Sequence, residues 1–209
     1  MLLYLHKILK KAFYFLYNSY CNAAVWYLIK ANGVKAGKNF RSRGIPVFNV
    51  ALGGKMIIGD NMKINNGNYY NRIGRQQRSF FVVAKNAQLK IGNNAGMSSV
   101  AIVCHKKISI GDNIRIGGNV AIYDTDFHAL DAGNRLDAVR DAMFASRKPV
   151  TIGNNVFIGA HSTILKGVTI GDNAIIGACS VVTKSVPANE IWAGNPATCI
   201  KKIEYAATV

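Results

Sequence analysis

Between Ile152 and Pro187 a large aliphatic residue recurs at every sixth position: Ile152, Ile158, Ile164, Ile170, Ile176 and Val182. Four places after each stands a small or β-branched residue, namely Val156, Ser162, Val168, Ala174, Ser180 and Val186. A helix repeats near 3.6 residues and a half-buried strand at 2, so neither produces this pattern. A sustained period of six is the mark of a solenoid, in which each unit buries its apolar face only by stacking on the next. If one hexad is a short strand plus a corner, three hexads close a triangular coil. Residues 18 apart, such as Ile152 and Ile170, Ile158 and Ile176, or Ile164 and Val182, then stack about 4.8 Å apart and fill the axis. The fourth place of each hexad must turn the corner, and Asn155, Gly167 and Asn173 accept positive φ cheaply. The pattern predicts an all-β fold, a parallel β-helix of hexapeptide repeats.

Over residues 34–209, the predicted β-helix domain, the rhythm is uneven. It begins at Val34 and Phe40, continues at Ile58 and Ile64, and breaks over 69–81, an arginine-bearing excursion from the coil. It resumes at Ile91 and Met97, slips by one residue, and runs through Ile110, Ile116 and Ile122. Residues 123–149 carry no hexad, and a loop of that length in a compact domain usually serves function. From 188 to 209 the repeat dissolves into a capping segment, needed because a bare last coil would expose its core and strand edges.

Residues 1–33 predict an amphipathic helical segment, with an interruption near Asn18 or Asn22. Leu2, Leu5, Leu9, Phe13 and Leu16 form a stripe opposite Lys7, Lys10 and Lys11. The uncharged run from Ala12 to Ile29 holds two asparagines and a serine, which makes it a poor membrane span. No small-residue cleavage pattern follows a compact apolar core, so no signal peptide is expected. Such a helix either packs on the prism or a neighbouring subunit, or makes peripheral contact with a membrane surface.

Composition narrows the chemistry. The 209 residues carry 26 Lys and Arg against 10 Asp and Glu, a net charge of +16, which calls for anionic company. The basic residues are spread along the chain with no recognised nucleic-acid module, so a nucleic-acid partner is not expected. Cys21, Cys104, Cys179 and Cys199 lie far apart without a CxxC pair, which argues against a zinc site or a disulfide framework and for a reducing, cytoplasmic setting.

Where the rhythm stops, the chain reads Tyr123-Asp-Thr-Asp-Phe-His128-Ala-Leu-Asp131. A histidine with three acids at the root of a long loop suits proton transfer: an imidazole takes a proton from a hydroxyl as that oxygen attacks a thioester, then returns it to the leaving thiolate. A carboxylate would fix its tautomer, and Asp124 and Asp126 are the candidates for that task or for gripping a sugar hydroxyl.

The run Tyr123 to His128, the loop ending in Arg147-Lys-Pro-Val-Thr-Ile-Gly-Asn-Asn-Val-Phe-Ile-Gly-Ala-His161, and the segment Ala193-Gly-Asn-Pro-Ala197 resemble the hexapeptide-repeat acyltransferases, in the branch of galactoside, maltose and cell-surface polysaccharide O-acetyltransferases. The resemblance covers about residues 56 to 202. It implies a left-handed β-helix, a homotrimer with active sites between subunits, and His128 as general base. It places acetyl-CoA as co-substrate, with no metal required, along Ala160 and Ala178, then Thr183 and Lys184, with Lys201 for phosphate. Thr198 stands where relatives often hold arginine, and Lys202 is its candidate replacement. Ser98 or Ser99 stands where relatives present a polar group to the acceptor or the thioester oxygen. His105 stands where they hold an acidic substrate-binding residue. His161 begins a corner and is either packed or turned to the groove.

The reading that results is an acetyl-CoA-dependent O-acetyltransferase acting on a saccharide hydroxyl, cytoplasmic or at the inner face of the membrane. Its acceptor is expected to be part of a surface polysaccharide or its lipid-linked precursor, with Arg72, Arg75, Arg78, Arg140 and Arg147 hinting at an anionic saccharide. The alternatives are an N-acyltransferase on an amino sugar and a metal-dependent, carbonic-anhydrase-like β-helix. The latter needs three histidines converging from adjacent coils. A serine acetyltransferase needs a larger helical domain than 33 residues supply.

Overall fold

In the computed structural model, which describes residues 1–71, 73 and 77–204, the side chains of 68 and 69 excepted, the hexads wind into a three-sided parallel prism of six coils. The coils are β1 (Lys35–Ala36), β2 (Arg41–Arg43) and β3 (Val47–Val50); β4 (Lys55–Ile58), β5 (Lys63–Asn65) and β6 (Phe80–Val83); β7 (Gln88–Ile91), β8 (Gly96–Ser98) and β9 (Ala101–Cys104); β10 (Lys107–Ile110), β11 (Arg115–Ile116) and β12 (Ala121–Tyr123); β13 (Val150–Ile152), β14 (Phe157–Ile158) and β15 (Thr163–Ile164); and β16 (Thr169–Ile170), β17 (Ile175–Ile176) and β18 (Val181–Val182). The first strands of each coil form one face, the second strands another and the third strands the last. Ile152 pairs with Ile170, Ile158 with Ile176 and Ile164 with Val182, as the period of 18 requires. Ile58, Ile91, Ile110, Ile122 and Ile164 are among the side chains that fill the axis. The slip has a local cause. Met97 and Ile102 are only five residues apart, and the corner after β9 carries the extra residues His105 and Lys106, so Ile91 pairs with Ile110.

One prism edge is zipped by asparagine. Asn39, Asn61, Asn94, Asn113, Asn155, Asn173 and Asn189 all turn the corner at φ between 57° and 61°. From Asn39 to Asn173 each side-chain amide donates to the asparagine of the next coil, ending on Asn189, at 3.0 Å from Asn113 to Asn155 and again from Asn155 to Asn173. Alanine at 155 would take up left-handed strain and lose both bonds, so Asn155→Ala is expected to cost about 1–2 kcal/mol, and Asn155→Gly less, by thermal unfolding. Equal losses for the two variants would show that φ contributes nothing.

Both ends of the prism are covered. The cap is a β-hairpin: β19 (Glu190–Gly194) joins β17 in parallel, and β20 (Ala197–Lys202) returns antiparallel to it. At the other end lies α1 (Leu2–Ala31), continuous through Asn18 and Asn22, so the expected interruption is absent. Its last third closes the first coil with Cys21, Val25 and Ile29, while Asn18 accepts a hydrogen bond from the Tyr70 hydroxyl at 2.8 Å. The excursion after β5 opens with a helical turn, α2 (Gly67–Tyr70). Arg78 ties its end to the first coil by donating to the carbonyls of Ile45 and Pro46. Arg72 and Arg75 lie outside the described residues, as do 205–209 of the expected cap. Among the described residues no helix is long and apolar enough to cross a membrane.

Candidate active site

The loop 124–149 leaves the prism at the edge where the third face passes to the first, and two strands' worth of pairing pinch its neck. Thr125 bridges Arg147 in antiparallel fashion, Asp126 N–H donates to Ser146 O at 3.0 Å, and Lys148 N–H donates to Asp124 O at 2.9 Å. Two short helices fold inside it, α3 (Ala132–Arg135) and α4 (Ala138–Phe144), capped at their starts by Asp131 and Asp137. Arg147 donates to Ala142 O at the end of α4, and Arg135 to the carbonyls of Ala129 and Leu130. Arg78 and Arg147 thus each donate to backbone carbonyls.

At the root of the loop Phe127 adopts φ 64°, a conformation that bulky residues rarely enter, supported by its N–H bonding Thr125 Oγ1 at 3.1 Å. Its ring packs edge-on against Tyr123 and His105, with centroids 5.2 and 5.9 Å away. The next residue, His128, has its Nδ1 2.7 Å from Asp141 Oδ2, with its side chain 71% exposed and that of Asp141 16%. The other Asp141 oxygen accepts the Ala129 N–H at 2.7 Å, so one carboxylate on α4 holds both the imidazole and the backbone beside it.

Asp141 holds the orienting place for which the sequence offered Asp124 and Asp126 as candidates, alongside a role in gripping a sugar hydroxyl. Asp124 is fully buried, and its oxygens accept the N–H groups of His105, Lys106 and Lys107 at 2.7 to 2.8 Å. Asp126 pairs with Lys166 of the next coil at 2.8 Å. Neither bonds His128. The signal that could have found Asp141 was the Asp137 helix cap, followed four residues later by a second aspartate.

The Asp141 carboxyl sits below the usual carboxylate range, first through the His128 hydrogen bond and then through the Ala129 N–H. A depressed carboxylate contributes order fully above its unfolded value of about 3.9 and loses it as pH falls through the lower folded one. Protection of the Ala129 amide from hydrogen exchange should therefore hold from neutrality down to about pH 4 and vanish below. Protection lost instead on raising pH through the imidazole range would show that imidazolium charge holds the loop.

Burial, helped by the nearby Arg147 charge, pushes the His105 imidazole below its usual value, which favours its uncharged form. Burial and the adjacent Asp124 push the Cys104 thiol up to about 12, so it remains a packed thiol and no nucleophile.

The remaining candidates fall on other parts of the prism. Ser98 faces outward on the second face, 3.4 Å from the Asn65 amide. Ser99 turns the corner to the third face at φ 47° and is fully buried, so its hydroxyl cannot meet an acceptor as the sequence reading expected. His161 and Cys179 occupy that same corner in later coils at φ 63° and 59°. Ala160 and Ala178 precede them, and here the backbone is packed so closely that a Cβ on Gly159 would overlap the Ala178 nitrogen. Thr183 and Lys184, both exposed, leave β18 at the same edge as the His128 loop, two coils further on; Lys201 and Lys202 are exposed on β20. Among the described residues no three His, Cys, Asp or Glu side chains converge as metal ligands.

Comparison with known proteins agrees with this architecture. Residues 149–184 match the bacterial transferase hexapeptide family, six repeats. A candidate acetyltransferase of Saccharomyces cerevisiae is 42% identical over 118 residues, which are 56% of this chain and 57% of that relative. Galactoside acetyltransferase, solved in complex with coenzyme A, aligns at 30% identity with a TM-score of 0.52, covering 80% of this chain and 65% of that chain. An N-acyltransferase from Bacillus cereus, solved with dTDP and 3-hydroxybutyryl-CoA, reaches a TM-score of 0.68 at 20% identity over 84% of this chain and 87% of that one, which shows a shared fold. The chain spans about half the length of the curated relatives it matches. Residues 149–184 are thus a hexapeptide repeat of the bacterial transferase type, and the relatives that the chain aligns with are named acetyl- and acyltransferases.

Proposed function

We propose that the protein is an acetyl-CoA-dependent O-acetyltransferase that acetylates a saccharide hydroxyl, with His128 as general base. The observation that carries this reading is the His128–Asp141 pair, held on a loop that interrupts a hexapeptide prism. With Nδ1 committed to Asp141, the imidazole keeps Nε2 for the acceptor. As the hydroxyl oxygen attacks the thioester carbonyl, Nε2 takes its proton; when the tetrahedral intermediate collapses, the same proton passes to the departing coenzyme A sulfur. Asp141 supports the transient imidazolium and fixes the tautomer. His105, packed beside Phe127 at the loop root, hydrogen-bonds the acceptor in this reading.

For the donor, Ala160 and Ala178 leave room for the pantetheine along a bare backbone edge, while Thr183, Lys184 and Lys201 meet the nucleotide, with positive charge for its phosphates. The prism winds left-handed in this reading, as in the family it resembles. His128 is largely exposed in one chain, so a site that excludes water needs a second wall, which a neighbouring prism of a homotrimer supplies. The acceptor is a surface polysaccharide or its precursor, and the location is cytoplasmic or at the inner face of the membrane.

The test is release of coenzyme A thiol from acetyl-CoA in the presence of saccharide hydroxyls, and its dependence on His128. Acetylation of amino sugars only, at nitrogen, would move the assignment to N-acyl transfer.

A further inference from the structure

Helix α1 turns its apolar stripe away from the protein. Cys21, Val25 and Ile29 face the prism, and at 100° per residue the opposite side carries Leu2, Leu5, Ile8, Leu9, Leu16 and Tyr20. Those side chains are between 52% (Leu5) and 81% (Leu2) exposed, and Trp26 and Tyr27 continue the outer side at 65% each. The apolar arc spans about a third of the helix circumference, wider than the two-position seam by which coiled coils pair.

Charge identifies the occupant. Lys7, Lys10 and Lys11 lie on the face opposite the stripe, α1 contains no carboxylate, and the first acidic residue of the chain is Asp60. At the helix base a groove of about 820 Å³ is lined by Trp26, Lys30, Lys35, Arg41 and Arg43. The polar face of α1 and the groove at its base are thus both cationic, with no acid on the helix to offset them. An anionic bilayer offers what both features need: acyl chains for the stripe and phosphates for the cations. Trp and Tyr prefer the boundary between the two.

We propose that α1 lies in the plane of an anionic membrane surface, its outer stripe at the headgroup–acyl boundary and its lysines among the phosphates, holding the prism beside that surface. The inference rests on α1 alone and stands whether or not the prism transfers acetyl groups, so the His128→Asn variant should bind membranes as the native chain does.

The experiment is co-sedimentation of the full chain with vesicles of phosphatidylcholine, with and without phosphatidylglycerol, over a range of salt. The expected result is binding to the anionic vesicles that weakens as salt rises and is much weaker on phosphatidylcholine alone. Leu5→Glu combined with Leu9→Glu and Leu16→Glu should lower it by about tenfold or more while the thermal transition of the prism is kept. Light scattering reads the oligomeric mass of both forms. No binding, equal binding to both vesicle types, undiminished binding of the triple variant, or a change of mass in that variant, which would make the stripe a contact between copies, each overturns the proposal.

Discussion

Asparagine in place of His128 is expected to lower acetyl transfer by about 10²- to 10⁴-fold, the range for losing a general base, with the fold intact. The side chain is 71% exposed, so the change removes a proton acceptor and little packing. Asp141 keeps its second bond to the Ala129 N–H, which leaves the loop anchored in the variant. The loss should fall on kcat rather than on donor binding, since the proposed coenzyme A contacts lie on other elements. Asp141→Asn gives the control: it retains the base but weakens its orientation, so its rate should fall less and its pH profile should change shape. Turnover by His128→Asn at the native rate would remove the imidazole from the chemistry and with it the proposed reaction.

Asp124→Ala is expected to act on stability. Its carboxylate accepts three backbone N–H groups at 2.7 to 2.8 Å in the widened corner after β9, and its own backbone closes the neck of the loop through Lys148. Removing it strands three donors and loosens the point where the loop leaves the prism. At about 1 kcal/mol or more for each partly buried charge-assisted bond, the cost is about 3 kcal/mol. For a chain of this size that corresponds to a melting temperature lower by roughly 6–12 °C. An unchanged melting temperature with activity lost would return Asp124 to the chemical role that its place four residues before His128 suggests.

What the sequence alone determined is the prism: the spacing of Ile152, Ile158 and Ile164, the pairing of each with the residue 18 further on, and positive φ at Asn155, Gly167 and Asn173. These are legible because each coil meets only its neighbours, so the packing rule is written out locally and repeated. The position of the loop and of His128 at its root was legible for the same reason, as a break in that repeat. Three matters were decided only in the folded chain. Asp124, Asp126 and Asp141 are alike as residues near a histidine, and their roles separate only because the corner at His105 to Lys107 demands an acceptor, Lys166 lies one coil below Asp126, and α4 folds Asp141 back onto His128. Ser99 lies fully buried at its corner, beneath a Gln77 amide that comes from the excursion, a contact that no period records. And α1 shows two apolar faces, of which packing against the first coil consumes only the one bearing Cys21, Val25 and Ile29. Hydrophobic periodicity reports that a side chain avoids water; which surface covers it is fixed by tertiary contacts between residues far apart in the chain.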